Sequence, residues 1–224
     1  MRGKLIVIEG TDGSGKATQS KELVKRLSSE GKKVVYVEFP QYGNPSAAMV
    51  EEYLNGRLGT AEQIGPYRAS IFFAVDRYGA AAKMHAWLAE GTTIICNRYT
   101  TANKGHQAGK LKDTHKIDAF CAWVDHLEYE IFGIPHPDKV ILLHMPHHIG
   151  QKLVDAKAER SYLGDKKRDI HEDDADHLRD AENAYLYVAE KEGWELIECS
   201  DGKQPLPIQD IHKQVYAYVK KLLE

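Results

Sequence analysis

Leu5-Ile-Val-Ile-Glu9 followed by Gly10-Thr-Asp-Gly-Ser-Gly15-Lys16 decides the fold of this chain. A β-branched, apolar run leads into a glycine-rich turn, and the amphipathic segment Gln19–Leu27 follows. That is strand, loop and helix in the order of a P-loop. The glycines let backbone N–H groups turn inward on a polyphosphate, and the helix N-terminus favours negative charge there. Lys16 has the reach for β- and γ-phosphates. The reading assigns Gly10, Thr11, Asp12, Gly13, Ser14, Gly15, Lys16, Ala17 and Thr18 to ATP. One letter departs from the motif. Ala17 stands where a Ser or Thr hydroxyl commonly meets Mg²⁺, and Thr18 is rotated by about 100° along the helix, so it is no simple substitute.

Outward from this loop, strands and helices alternate, which predicts a parallel sheet covered on both faces. Strands are expected at Leu5–Glu9, Lys33–Glu38, Thr93–Asn97, Lys139–Met145 and Trp194–Glu198. Helices are expected at Lys16–Glu30, Pro45–Asn55, Pro66–Glu90, Thr114–Phe132, His147–Lys157, Asp173–Glu192 and Pro207–Leu223. Gly31, Gly91, Gly133 and Gly193 sit where helices should stop. The fold class is therefore α/β: a P-loop nucleotide-binding fold with a five-stranded sheet, in one domain over residues 1–224.

The bulk composition narrows the function. With 224 residues, 28% charged and a net charge of −3, the chain has no global electrostatic case for nucleic acid. Three unclustered cysteines, Cys96, Cys121 and Cys199, suit a reducing compartment. No apolar run approaches the roughly 20 residues that span a bilayer, and a strand begins within a few residues of Met1. A cytoplasmic protein with no membrane partner is expected. The eleven histidines, His144, His147 and His148 among them, show no metal-ligand spacing and read as surface or capping residues.

A second constellation should gather at the carboxyl ends of the strands, where open α/β sheets bind ligands. Strand two ends in Phe39-Pro40-Gln41-Tyr42, and strand three in Asn97-Arg98-Tyr99. Phe73, Asp76 and Arg77 share one helical face by their i, i+3, i+4 spacing. An aromatic plane beside a guanidinium can stack on a base and donate to its carbonyl.

With the P-loop, these residues resemble the thymidylate kinases from Lys4 to about Glu198. The chain is most similar to a bacterial subgroup with a Gly-Lys-Ala-Thr-Gln loop. Thr100-Thr-Ala-Asn103, His106-Gln107 and Asp169-Ile-His-Glu172 carry that likeness. The resemblance implies phosphoryl transfer from ATP to dTMP with Mg²⁺, in a homodimer packed through helices that include Ala69–Ala82. It implies that Phe73 stacks on thymine and Arg77 bonds its carbonyl edge, with Asn103 and Gln107 near base and sugar. His106 stands where many members place Tyr or Phe against the deoxyribose. Asp12 is implied near the 3′-hydroxyl and the metal, with Glu9 as a second metal-side carboxylate. Arg98, Phe39, Pro40 and Tyr42 are implied around the acceptor phosphate. A lid over residues 159–172 would bring Arg160, Lys166, Lys167 and Arg168 to the donor phosphates, and Lys16, Asp12, Arg98, Arg160, Lys167 and Arg168 form the catalytic set. Three positions depart from the family: Gly13 replaces a catalytic Arg of some members, Asn97 a metal-organising Asp, and His144 a strand-four Asp. Two alternatives stay open, a kinase for another pyrimidine nucleotide or nucleoside and a nucleotide-binding homologue with impaired catalysis.

Overall fold

The computed structural model describes residues 2–155 and 175–224. Five strands, β1 (Leu5–Glu9), β2 (Val34–Glu38), β3 (Thr93–Asn97), β4 (Lys139–His144) and β5 (Glu195–Glu198), form one sheet in the order β2-β3-β1-β4-β5. Every neighbouring pair is parallel. The expected strands match to within a residue or two.

Central strands in such a sheet are buried on both sides, and alternation then decides which helix each residue meets. Ile6 and Ile8 of β1, with Ile141 and Leu143 of β4, pack against α1 (Lys16–Ser29) and α8 (Ile208–Leu223) through Leu23, Leu27, Val215 and Val219. Leu5 and Val7, with Ile94 and Cys96, face the opposite way onto Ala81, Met84 and Leu88 of α3 (Ala61–Ala89). The short α2 (Ala48–Leu54) closes over the first half of α3.

Helix α3 starts earlier than Pro66. Thr60 and Gln63 form a capping box ahead of it, and the chain then breaks at Gly65 (φ 72°, ψ 168°) before Pro66 resumes the helix. Proline at a helix start is tolerated because its missing N–H needs no partner there.

The larger departure is the segment after β3, which carries no expected element. It forms a short helix α4 (Thr100–Ala102), a π-helical turn (Asn103–Gln107) and a 3₁₀ turn (Ala108–Leu111). α5 (Thr114–Asp125) follows and ends in a second π-helical turn, His126–Ile131. Helix α7 (Ala175–Glu192) lies across the first π turn, and α6 (His147–Asp155) follows β4. Contact with α7 is intimate: a Cβ added at Gly105 would sit 2.2 Å from the Tyr185 ring.

Among the described residues no helix is long and apolar enough to cross a membrane. The Ala80-Ala81 run packs on the chain's own core, while Tyr67, Ile71, Val75 and Tyr78 of α3 are exposed.

Gly105→Ala is expected to cost about 1–3 kcal/mol through overpacking against Tyr185. A urea midpoint equal to that of the unaltered chain would show that the turn can retreat.

Candidate active site

A cavity of about 350 Å³ opens at the carboxyl ends of β1, β2 and β3. Its lining includes Asp12, Gly13, Gly15, Lys16, Ala17 and Thr18 of the loop before α1. It also contains every residue proposed for the acceptor: Phe39, Pro40, Tyr42, Phe73, Arg77, Arg98, Asn103, His106 and Gln107, again with Asp12. Gly10, Thr11 and Ser14 lie outside the lining. The Thr11 hydroxyl donates to the Met145 carbonyl at 3.1 Å, and its own carbonyl accepts from Lys16 Nζ at 2.8 Å. The basic residues Arg160, Lys166, Lys167 and Arg168 fall outside the described residues.

At one end of the cavity the polar groups are held in fixed orientations. The Arg77 guanidinium donates through Nε and Nη2 to both oxygens of Glu128, at 2.5 and 2.7 Å, and both side chains are buried. Burial opposes the Arg77 charge, but the Glu128 carboxylate more than offsets this and its pKa is raised. Asn103 donates through Nδ2 to the Ser70 carbonyl and to Glu128 Oε1, both at 3.3 Å. Two acceptors fix which end of that amide is nitrogen, so its oxygen is turned away from them. Phe73 stands beside these groups, its ring edge-to-face with Tyr53 at 6.2 Å and 89°. Asp76, on the same helix, does not line the cavity. It accepts from the Gln41 amide and the Ser46 hydroxyl, both at 2.8 Å, and so anchors the loop after the cis Phe39–Pro40 peptide.

At the other end stands Arg98, whose backbone is left-handed (φ 64°). Few non-glycine residues adopt that conformation, and it is found where a side chain must be aimed. Nη2 reaches Asp12 at 2.5 Å and Nη1 reaches His106 Nε2 at 2.9 Å. Because a guanidinium only donates, His106 accepts on Nε2 and carries its proton on Nδ1. Burial, and then the Arg98 charge, hold the His106 pKa well below its usual value, so the ring is neutral at physiological pH.

Glu9 lies beneath this end rather than in it. Its Oε1 accepts from the Gly10 amide at 3.1 Å and the Tyr185 hydroxyl at 3.0 Å, and Oε2 accepts from the Thr101 hydroxyl at 2.8 Å. Glu9 is fully buried and does not line the cavity, which leaves a metal poor access to it.

Two residues that line or brace the cavity escaped the sequence reading. Glu128 lies in a stretch expected to be ordinary helix, and charge alone marks it as surface. Glu38 lines the cavity and pairs in register with Asn97 on the adjacent strand. The Asn97 amide donates to Glu38 at 2.7 Å, and Asn97 Oδ1 is buried without a hydrogen-bond partner. An asparagine ending strand three beside a glutamate ending strand two was the available signal.

The thymidylate kinase family model matches residues 8–215. The chain belongs to the thymidylate kinase family. It is 30% identical to a thymidylate kinase of Mycobacterium tuberculosis over 85% of this chain and 87% of that one. It is 26% identical to the thymidylate kinase of Schizosaccharomyces pombe over 99% of this chain and 93% of that one. The solved structure of a thymidylate kinase from Candida albicans superposes with a TM-score of 0.72 at 20% identity, covering 98% of this chain and 92% of that one, and shares its fold.

Against the thymidylate kinase pattern, two departures now have physical reasons. Gly13 has φ 80°, and a Cβ there would meet the Gly150 carbonyl oxygen at 2.2 Å, so this loop has no room for an arginine. His144 donates from Nδ1 to Glu198 at 2.7 Å and from Nε2 to Glu182 at 3.0 Å. Glu182 also accepts from the amide and ring of His147, at 2.8 and 2.7 Å. The His144–Glu182–His147 cluster fastens β4 and α6 to α7. Two carboxylates on one imidazole favour its protonated form and raise its pKa against the effect of burial.

Removing the charge of Glu128 with Glu128→Gln leaves Arg77 buried without a counter-ion. This is expected to cost about 3–5 kcal/mol, and a urea unfolding free energy lowered by less than about 1 kcal/mol would contradict it. The histidine cluster carries a pH signature. Burial would raise the Glu182 pKa, but the bonds from His144 and His147 hold it at about 2 instead of 4.5, so its stabilisation is present above 4.5 and lost as pH falls towards 2. The His144 pKa is raised above 6.5, chiefly by Glu182, so its share is complete below 6.5 and lost as pH rises through the folded value. The stability difference between the unaltered chain and Glu182→Gln should therefore peak between pH 4.5 and 6.5. A difference that stays flat across that window and beyond it would count against the cluster.

Proposed function

We propose that this chain transfers the γ-phosphoryl group of ATP to dTMP, giving ADP and dTDP. One observation carries the reading: a single cavity joins a P-loop to an end lined by Phe73, Arg77, Asn103 and Gln107. Glu128 occupies Arg77 Nε and Nη2 and leaves Nη1 to donate, and Asn103, its nitrogen committed to Ser70 and Glu128, keeps its oxygen to accept. Gln107 adds an amide donor. Thymine offers two carbonyls and one N–H along its edge, which this set can satisfy. Cytosine, with an amino group and an unprotonated ring nitrogen, would leave groups unpaired, and a buried unpaired polar group costs about 1–3 kcal/mol. Phe73 stacks on the ring, and His106 stands against the sugar.

Phosphoryl transfer asks for alignment and for positive charge where negative charge spreads in the transition state. Arg98, aimed by its left-handed backbone and braced by Asp12 and His106, places a cation beside the acceptor phosphate, with Phe39, Pro40 and Tyr42 around it. Lys16 and the loop amides take the donor phosphates. The basic residues Arg160, Lys166, Lys167 and Arg168 are assigned to the same phosphates by their charge.

Mg²⁺, when bound, neutralises phosphate charge and orients the donor. The cavity's acidic groups, Asp12 and Glu38, and the unpartnered Asn97 oxygen are hard oxygen donors that suit it. Among the described residues no three acidic, histidine or cysteine side chains are grouped to hold a metal alone. Phosphate oxygens and water would therefore supply most of its ligands, with Asp12, which lines the cavity, as the protein group proposed to help and Glu9 set aside by its burial.

A homodimer is proposed through α3. Tyr67, Ile71, Val75 and Tyr78 are 39–56% exposed on that helix. They recur at helical spacing and form an apolar stripe suited to a second copy. A cytoplasmic location accords with nucleotide substrates.

Diphosphate formation from dTMP, dUMP, ribo-TMP, dCMP, AMP and thymidine with Mg·ATP tests the assignment. dTMP is expected to be turned over best, with dCMP at least about tenfold lower in kcat/KM. Binding of ATP and dTMP without turnover would favour a nucleotide-binding homologue, the reading supported by Ala17 and Asn97.

A further inference from the structure

Lys110 lies in the 3₁₀ turn behind the base end of the cavity, outside its lining. Its ammonium donates to Gln107 Oε1 at 2.7 Å and to the Tyr53 hydroxyl at 2.9 Å, and sits 5.7 Å from the Tyr53 ring centroid. Among the described residues no carboxylate pairs with it. Burial draws its pKa down from 10.5 to about 8.

An ammonium has no lone pair, so it bonds only the oxygen of the Gln107 amide. That settles the orientation of a buried amide whose other end is free to meet a ligand. Gln107 lines the cavity, and with its oxygen turned to Lys110 it offers the cavity its NH₂ group. Tyr53, the second partner, sets its ring edge-on to Phe73. One cation thus ties together the amide wall and the support of the aromatic wall.

We propose that Lys110 is a positioning residue for the base: by holding Gln107 Oε1 and the Tyr53 hydroxyl, it presents the Gln107 NH₂ to a carbonyl of thymine and steadies Phe73 behind the ring. The proposal rests on the cavity's assignment to dTMP. Turned over, the Gln107 amide would set oxygen against oxygen and replace an attraction by a repulsion.

The orientation holds while Lys110 is charged, because the neutral amine has a lone pair that accepts from the inverted amide. The other ionisable groups around the turn are engaged elsewhere. Asp180 on α7 pairs with Lys112 at 3.4 Å and Arg179 at 3.3 Å. Asp113 caps α5 by accepting from the Lys116 amide at 3.0 Å. On α3, Arg68 donates to the Gln63 carbonyl at 3.0 Å, and Tyr67 lies against Phe120 and Trp123. In the π turn, His106 is bonded to Arg98, and Lys104 to Asp125 and Glu192.

Steady-state kinetics on the full chain test this with Lys110→Met, Lys110→Arg, Gln107→Ala and the double variant Lys110→Met/Gln107→Ala. Lys110→Met is expected to raise KM for dTMP about three- to tenfold, the worth of one hydrogen bond, with the effect on KM and not on kcat. Lys110→Arg should restore it, since a guanidinium also only donates. Lys110→Met should add nothing to Gln107→Ala, because both remove one interaction. With the unaltered chain, KM for dTMP should rise as pH passes about 8, and Lys110→Arg should lack that step. If Gln107→Ala raises KM but Lys110→Met does not, or if the two effects add, the positioning role is wrong while the site stands. An unchanged KM in Gln107→Ala would overturn the assignment of this cavity wall along with the proposal. Should Lys110→Met not fold, the two pH profiles decide alone, and parallel profiles overturn it.

Discussion

The active end of this molecule depends on one buried carboxylate. Glu9 ends the central strand with no exposure, and an unpaired charge there would be prohibitive. The surrounding chain supplies its partners: the Gly10 amide starts the P-loop, Thr101 lies in the short helix after β3, and Tyr185 comes from α7. Arg98 Nη1 stands 3.7 Å away. Three elements distant in sequence are thus fixed to the same point under the Arg98 end of the cavity. The Gly105 turn accepts the Tyr185 ring closely because that ring must reach Glu9.

A second buried charge organises the opposite end of the cavity by similar logic. Glu128 joins Arg77 of α3 to Asn103 of the π turn. An arginine buried to 1% exposure is costly unless it is paired. Once paired through two of its nitrogens, it is held in a single direction, as recognition of a flat base requires.

Much of this was legible in the residues. The P-loop, the five strands and the trio Phe73, Asp76 and Arg77 follow from spacing and turn chemistry, because they depend on neighbours close in sequence. The Thr60-x-x-Gln63 capping box was equally legible and shows where α3 begins. The segment over residues 100–111 was not. Thr, Asn and Gly are weak helix formers, and α7, some 70 residues later, holds that turn in shape. Nothing in the sequence near Glu128, Lys104 or Lys110 marks them as buried, for the same reason: burial of a charge is decided by partners the local sequence does not contain. Asp76 belongs between these cases, since its helix face was correct and its partners, Gln41 and Ser46, turned its role to anchoring a loop.

The close approach of Gly13 to Gly150 has a consequence for how this chain can vary. A carbonyl oxygen at 2.2 Å from where a side chain would begin makes the two positions one unit of inheritance. No single substitution at position 13 can bring a cation to the tip of the loop, because the first turn of α6 occupies that space. The route to an arginine there passes through a rearranged α6, and until that happens the cations for transfer have to come from other parts of the chain.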